Sequence, residues 1–196
     1  MNKVIQKEQR EENILLSLKK LHYLSRSQLQ ALHDLGSTRN AQRILQDMSP
    51  YLSSFRDGEN VYYLNKEGRE RVNAKKAFKK TTQARHYLMR NSLYIAFGSP
   101  ATWKNEVKLE VSGNVKVIAD AIFTRNNQYH IIEVDHTQKM SKNRGKIERY
   151  KQLIELGVFQ KHPIFTWITT TAYREKQLSK LLDGMEHQIF TIADFH

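Results

Sequence analysis

The chain has no cysteine among its 196 residues. Disulfides and thiolate metal sites are therefore excluded. It also lacks any apolar run near the ~20 residues needed to cross a bilayer. The N-terminal stretch MNKVIQKEQREEN has no apolar core of the kind a signal peptide needs. These absences lead to the expectation of a soluble, cytoplasmic protein with no membrane partner. Apolar residues make up 39%, somewhat few but sufficient for real cores, and the length suits one large domain or two small ones.

Acidic residues are also in short supply. Thirty-two Lys and Arg face twenty Asp and Glu, for a net charge of +12. The excess is shared, with 16 basic against 9 acidic residues in 1–80 and 16 against 11 in 81–196. An anionic partner, double-stranded DNA above all, is the natural inference.

Residues 8–21 place Ile14, Leu15, Leu18 and Leu21 on one helical face. Ser25 caps a second helix with a Leu29, Leu32, Leu35 stripe, and Gly36 ends it. Ser37 caps a third, with Ala41, Ile44, Leu45 and Met48 inward and Pro50 at its exit. A hairpin follows around Asp57-Gly58, between Leu52 and Phe55 on one side and Val61, Tyr62 and Leu64 on the other. Three helices and a hairpin make a winged helix-turn-helix over residues 1–80, with Lys66–Lys80 as a basic helix or linker. The outward residues of the third helix are Thr38, Arg39, Asn40, Gln42, Arg43 and Gln46, a suitable set for a major groove. Arg56 lies at the wing tip. A solvated face used for protein contacts is the competing reading.

Residues 81–196 begin with a helix, Thr81–Phe97, with His86 near its start. A strand over Trp103–Val111 precedes the central hairpin, Val115–Phe123 and Tyr129–Val134 around Arg125-Asn126-Asn127-Gln128. A helix over Lys139–Leu156, a strand over Ile164–Thr170, a helix over Tyr173–Leu182 and a strand over Gln188–Ile192 complete a mixed α/β (α+β) sheet domain. Trp103 and Trp167 read as core. The run Lys139, Lys142, Arg144, Lys146, Arg149 and Lys151 is either a solvated face or a phosphate-tracking surface.

This second order resembles the core of the PD-(D/E)XK nuclease superfamily. There an Asp in one strand and an acid-x-Lys in the next hold a hard metal that activates water. The resemblance carries the first Asp to Asp120 and the acid to Glu133, and these would be the catalytic and Mg²⁺-binding pair of a metal-dependent endonuclease. The lysine position holds Asp135, which reverses the charge expected there. Lys146 or Arg144 on the following helix would have to substitute, with His136 and Gln138 as other neighbours. The alternative is structural: Glu133 and Asp135 pair with Arg144, Lys146 or Arg149 and fix the helix to the sheet.

The two parts together resemble the replication-relaxation family of plasmids and mobile elements. The likeness runs through Ile14-Leu15-Leu16, Tyr23-Leu24-Ser25, Gln28-Leu29, Arg43-Ile44-Leu45 and Tyr62-Tyr63-Leu64-Asn65-Lys66-Glu67-Gly68-Arg69. It continues through His86, Asp120-Ala121 and Ile132-Glu133-Val134-Asp135. It implies a DNA-binding accessory role in replication, relaxation or conjugative transfer, with a nuclease-like domain that needs no cofactor. A relaxase or replication initiator is the expected partner, and a homodimer is expected because winged helices commonly pair on two half-sites. A transcriptional repressor of a mobile element and a protein-interaction adaptor are the further alternatives.

Overall fold

A computed structural model describes residues 3–195. Met1, Asn2 and His196, the outermost residues of the two expected segments, lie outside that range. The described chain forms two compact units, which divide between Asn91 and Ser92.

The first unit runs α1 (Lys3–Leu21), β1 (Leu24–Ser25), α2 (Arg26–His33), α3 (Thr38–Asp47), β2 (Leu52–Asp57), β3 (Glu59–Leu64) and α4 (Lys66–Arg71). It ends in the first turns of α5 (Ala84–Ala96). Helices α2 and α3 start where polar residues can satisfy their free N–H groups. Ser25 and Gln28 form a reciprocal capping box on α2, and Ser37 accepts from Asn40 N–H on α3. Asp34, in a left-handed conformation, closes α2, and Gly36 at φ +68° turns the chain into α3. Of the expected stripe, Ile14, Leu15, Leu18, Leu21, Leu29, Leu35, Ala41, Ile44, Leu45 and Met48 are buried, whereas Leu32 is only half-buried.

Strands β1, β3 and β2 form an antiparallel sheet in that order, with Asp57 opposite Glu59 across Gly58 at φ +73°. The short strand β1 lies between α1 and α2, at the residue that caps α2 and the one before it. Its two residues gain ladder partners, Tyr62 and Val61, that no local pattern announces. Of the basic segment 66–80, only Lys66–Arg71 is helical. Two buried polar side chains tie α5 to this unit. Asn91 Nδ2 donates to the carbonyls of Leu21 (3.1 Å) and Tyr23 (2.7 Å), and Arg90 Nη2 donates to Leu21 (3.1 Å). They satisfy carbonyls left open where α1 ends, at a point where His22 takes φ 76°.

Gly68 in α4 is a close approach. A Cβ there would overlap the carbonyl oxygen of Tyr51, which is backbone and cannot swing aside. Gly68→Ala is therefore expected to lower the unfolding free energy by roughly 1–3 kcal/mol, although alanine favours helix. Denaturant titration checks this, and a neutral result would mean that α4 shifts freely.

The second unit carries a five-stranded sheet ordered β4-β5-β6-β7-β8. The strands are β4 (Lys104–Val111), β5 (Val115–Arg125), β6 (Gln128–Asp135), β7 (Ile164–Thr169) and β8 (His187–Thr191). Pairing is antiparallel from β4 to β6 and parallel from β6 to β8. The parallel steps need crossovers, supplied by α6 (Met140–Glu155) and α7 (Ala172–Leu181). The β5–β6 turn is two residues, Asn126 (φ 52°) and Asn127 (φ 57°), a conformation asparagine tolerates and hairpins favour. One core packs Val115, Val117, Ala119, Ile131, Phe165 and Trp167 against Ile147, Tyr150, Leu153 and Leu178 of the crossover helices. Elsewhere in the unit Trp103 stacks on Phe123 and Phe123 on His130, with ring centroids 5.6 and 4.4 Å apart. Both tryptophans are core residues, as their sequence context suggests. A last short 3-10 turn, Ile192–Phe195, has no counterpart in the sequence reading.

Candidate functional site

Two groups of polar residues are set out by these folds, one in each unit. In the first, α3 buries Ala41, Ile44 and Leu45 and exposes Thr38, Arg39, Gln42, Arg43 and Gln46. Asn40 is different. Its Nδ2 donates to the Leu35 carbonyl at 2.8 Å and its Oδ1 accepts from Arg43 Nη2 at 2.9 Å. Its amide closes the turn between α2 and α3 and orients Arg43. The start of α3 is held by Arg26, which donates to Thr38 Oγ1 at 3.1 Å and pairs with Glu59 at 2.9 Å. Glu59 also accepts from Ser27 N–H at 3.0 Å. The hairpin is thereby fixed to α2 and α3, and Arg56 is exposed beside its tip.

In the second unit, pairing of β5 with β6 ends at Ala121 opposite Ile132. Beyond that point Val134 N–H has no β5 carbonyl to bond, and the Asp120 carboxylate accepts it at 2.7 Å. Glu133 and Asp135, two residues apart on β6, share a face and are both 0% exposed. They have separate surroundings. Glu133 accepts from Lys146 Nζ on one oxygen and from Tyr150 OH on the other. Lys146 and Tyr150 are four apart on α6 and so lie on one face. Asp135 accepts from Arg174 Nε (2.7 Å) and Nη2 (2.6 Å), Asn143 Nδ2 (2.8 Å) and Thr169 Oγ1 (2.7 Å). Arg174 Nη2 also donates to the Gln138 carbonyl at 2.7 Å.

The two carboxyls titrate in opposite directions. Burial pushes Glu133 well above the usual carboxylate range, and the nearby charge of Asp120 adds to this, against the opposing effect of Lys146 and Tyr150. Burial also acts to raise Asp135, but the hydrogen bonds from Arg174, Asn143 and Thr169 outweigh it and hold the carboxyl below its ordinary value. For Lys146, burial favours the neutral amine, yet Glu133 and Asp120 outweigh it and its pKa is raised.

The chemical capacity of this arrangement follows from its donors. Asp120, Glu133 and Lys146 are brought together, as a helix-borne lysine would require. Asp135 is set apart, held by Arg174 of α7 and not by Arg144, Lys146 or Arg149. A hydrated dication does not fit the acid pair. Mg²⁺ retains several waters, whereas Glu133 is wholly buried with both oxygens hydrogen-bonded, and the nearest cation is already Lys146. Among the described residues no group of three or more His, Asp or Glu is arranged to hold a metal. His86 is half-buried in α5, edge-on to Tyr87 at 5.8 Å. Sequence reading missed Asn143, Thr169 and Arg174. A buried Asp with no basic residue nearby in its strand is a signal that a distant partner is needed, but it does not say which.

Residues 15–168 match the replication-relaxation family, more than half of the chain. The chain belongs to the replication-relaxation family. Membership associates it with the replication or relaxation of plasmids and mobile elements. Comparison with the curated proteins gives no match. Among solved structures, the crystal structure of protein VC1899 from Vibrio cholerae is similar at 13% identity and a TM-score of 0.41. The alignment covers 97% of this family member and 53% of that chain, so the sequence spans about half of it. A likeness that low carries no argument about fold or function. No described helix of this family member is long and apolar enough to cross a membrane.

Proposed function

We propose that this protein is a DNA-binding accessory factor for the replication, relaxation or transfer of a plasmid or mobile element. In this reading the first unit is a winged helix and α3 is its reading element. The observation that carries it is the exposed face of α3, where Arg39, Gln42, Arg43 and Gln46 project from a helix whose other face is buried and whose start is held by Arg26 and Ser37. Arginine takes guanine bidentately and glutamine takes adenine, and a fixed helix delivers both to a major groove. Asn40 contributes by positioning Arg43, and Arg56 by reaching a phosphate or minor groove. The net charge of +12 supplies the sequence-independent part of the affinity. The second unit serves docking of a relaxase or replication initiator and assembly of a homodimer, with Glu133 and Asp135 as buried anchors of α6 and α7.

The test is an electrophoretic-shift assay on plasmid fragments, with and without Mg²⁺. Arg39→Ala and Arg43→Ala are each expected to cost about 1–3 kcal/mol on the preferred site and to relax sequence preference. Unchanged binding in both would remove α3 from the interface. Asp120, Glu133 and Lys146 are gathered as in a nuclease, but Glu133 is buried with both oxygens hydrogen-bonded, so a metal-dependent endonuclease is not the reading proposed. Metal-dependent nicking lost in Glu133→Ala would overturn this. A palindromic operator beside its own gene, with shifts but no cutting, would instead favour a repressor.

A further inference from the structure

The segment after α4 is not explained by the reading helix. Between Glu70 and Glu106 the chain has no acidic residue, and the first half of that interval holds Arg71, Lys75, Lys76, Lys79, Lys80 and Arg85. The four lysines are all exposed. A charge run of this kind is ordinarily a loose, solvated stretch. Here the backbone is held at three points. Lys19 Nζ donates to the Val72 carbonyl at 2.7 Å. Phe78 stacks on His22 at 4.4 Å and stands edge-on to Tyr23 at 5.3 Å. Tyr23 OH donates to the Lys79 carbonyl at 2.6 Å. The pinned residues point inward and the lysines between and beside them are left outside.

The end of this strap is connected to the start of α3. Arg85, just past Lys80, grips Asp57 at the hairpin tip, with Nε to Oδ2 at 2.8 Å. Across that tip Glu59 holds Arg26, which reaches Thr38, the first residue of α3. Through Arg85, five residues beyond Lys80, the chain that follows the strap is tied to the hairpin tip, and the hairpin in turn to the first residue of α3. Beside the strap is an opening of about 170 Å³ edged by Lys19, Lys75 and Lys76 and floored by His22 and Phe78. Its lining also includes Leu18, Leu64 and Ala74, so the exposed lysines of the strap, and not the opening itself, offer the cations.

We infer that residues 72–80 are a backbone clamp for duplex DNA beside the segment contacted by α3, with Lys75, Lys76, Lys79 and Lys80 binding phosphates. The inference rests on the DNA-binding reading above and adds a second contact element to it. Because the strap backbone is already ordered, binding immobilises only the lysine side chains. Phosphate contacts of this kind set register and affinity and carry no sequence information.

The experiment measures duplex affinity of the full chain by fluorescence anisotropy between 50 and 200 mM salt. Each phosphate neutralised contributes about 0.9 to the slope of log affinity against log salt. Replacing the four lysines with alanine is therefore expected to make the slope shallower by about 3.6, with the ratio of preferred to competitor DNA unchanged. Arg39→Ala with Arg43→Ala, run in parallel, is expected to change that ratio. Phe78→Ala keeps every charge but removes the staple, and is expected to weaken both DNAs several-fold. Wild-type protein that binds no DNA overturns the proposed function and the clamp together. Wild-type binding with an unchanged slope in the four-lysine variant overturns the clamp alone, as does Phe78→Ala binding like wild type.

Discussion

Asp135→Ala is expected to lower the unfolding free energy of the second unit by about 3 kcal/mol, enough to remove a large part of the stability of an ordinary domain. The cause is the loss of a shared acceptor. Asp135 is fully buried and receives bonds from β7, α6 and α7 through Thr169, Asn143 and Arg174. Without it Arg174 keeps its charge with only the Gln138 carbonyl as a described acceptor. The side chain of Arg174 remains 24% exposed, so water relieves part of the penalty and the lower end of the usual range applies. Asp135→Asn should cost less, because its single amide oxygen can still accept from one of Asn143 and Thr169, which bond to different carboxylate oxygens. The pH dependence has a definite sign. The folded carboxyl lies below its ordinary value, so its contribution is present above the unfolded value and is lost as pH falls through the folded one. Chemical denaturation across acid pH should show the wild type and Asp135→Ala converging. A cost below about 1 kcal/mol at neutral pH would mean that Asp135 does not anchor the crossover helices.

Lys146→Met is expected to destabilise the same unit by about 3 kcal/mol at pH 8 and by much less at pH 5. Lys146 is 18% exposed and its ammonium is the cation facing the wholly buried Glu133. Removing it leaves Glu133 with the hydroxyl of Tyr150, a single neutral donor that favours the carboxylate but does not offset its burial and the nearby charge of Asp120. Glu133 already lies well above the ordinary carboxylate range, because of burial and then Asp120. Loss of Lys146 pushes it further up, so the folded state of the variant binds a proton that the unfolded state has released. Stability therefore falls as pH rises between the unfolded and folded values, by up to about 1.4 kcal/mol per unit for one proton. Glu133→Gln placed on top of Lys146→Met should abolish that slope. If the single variant shows no extra pH dependence between 5 and 8, the buried acid is not the group left unpaired. The measurement also bears on catalysis. An acid held for stability tolerates simultaneous replacement of itself and its partner, whereas a catalytic one does not.

Much of this architecture is legible in local patterns. The Ser25 capping box, the Ser37 cap, the Asp57-Gly58 turn and the Asn126-Asn127 turn are each settled by a few adjacent residues, because capping and turn chemistry act over one to four positions. The helical stripes of the first unit were readable for the same reason. Elements held by distant partners were not. Strand β1 exists because Val61 and Tyr62 pair with it, and Arg90 and Asn91 look like the polar side of a helix until their bonds to Leu21 and Tyr23 are seen.

The candidate site divides along the same line. The sequence by itself singled out Asp120, Glu133 and Asp135, acids whose strand neighbours Ala119, Ala121, Ile132 and Val134 are apolar, where an unpaired charge is costly to bury. It also determined that Glu133 and Asp135 share a face, because side chains alternate along a strand. Only the tertiary structure decided their partners. Lys146 reaches Glu133 from thirteen residues away and Arg174 reaches Asp135 from thirty-nine. Which of several nearby cations closes each pair depends on where α6 and α7 pack against the sheet, and that is set by Ile147, Tyr150, Leu153 and Leu178 meeting Phe165 and Trp167 in the core.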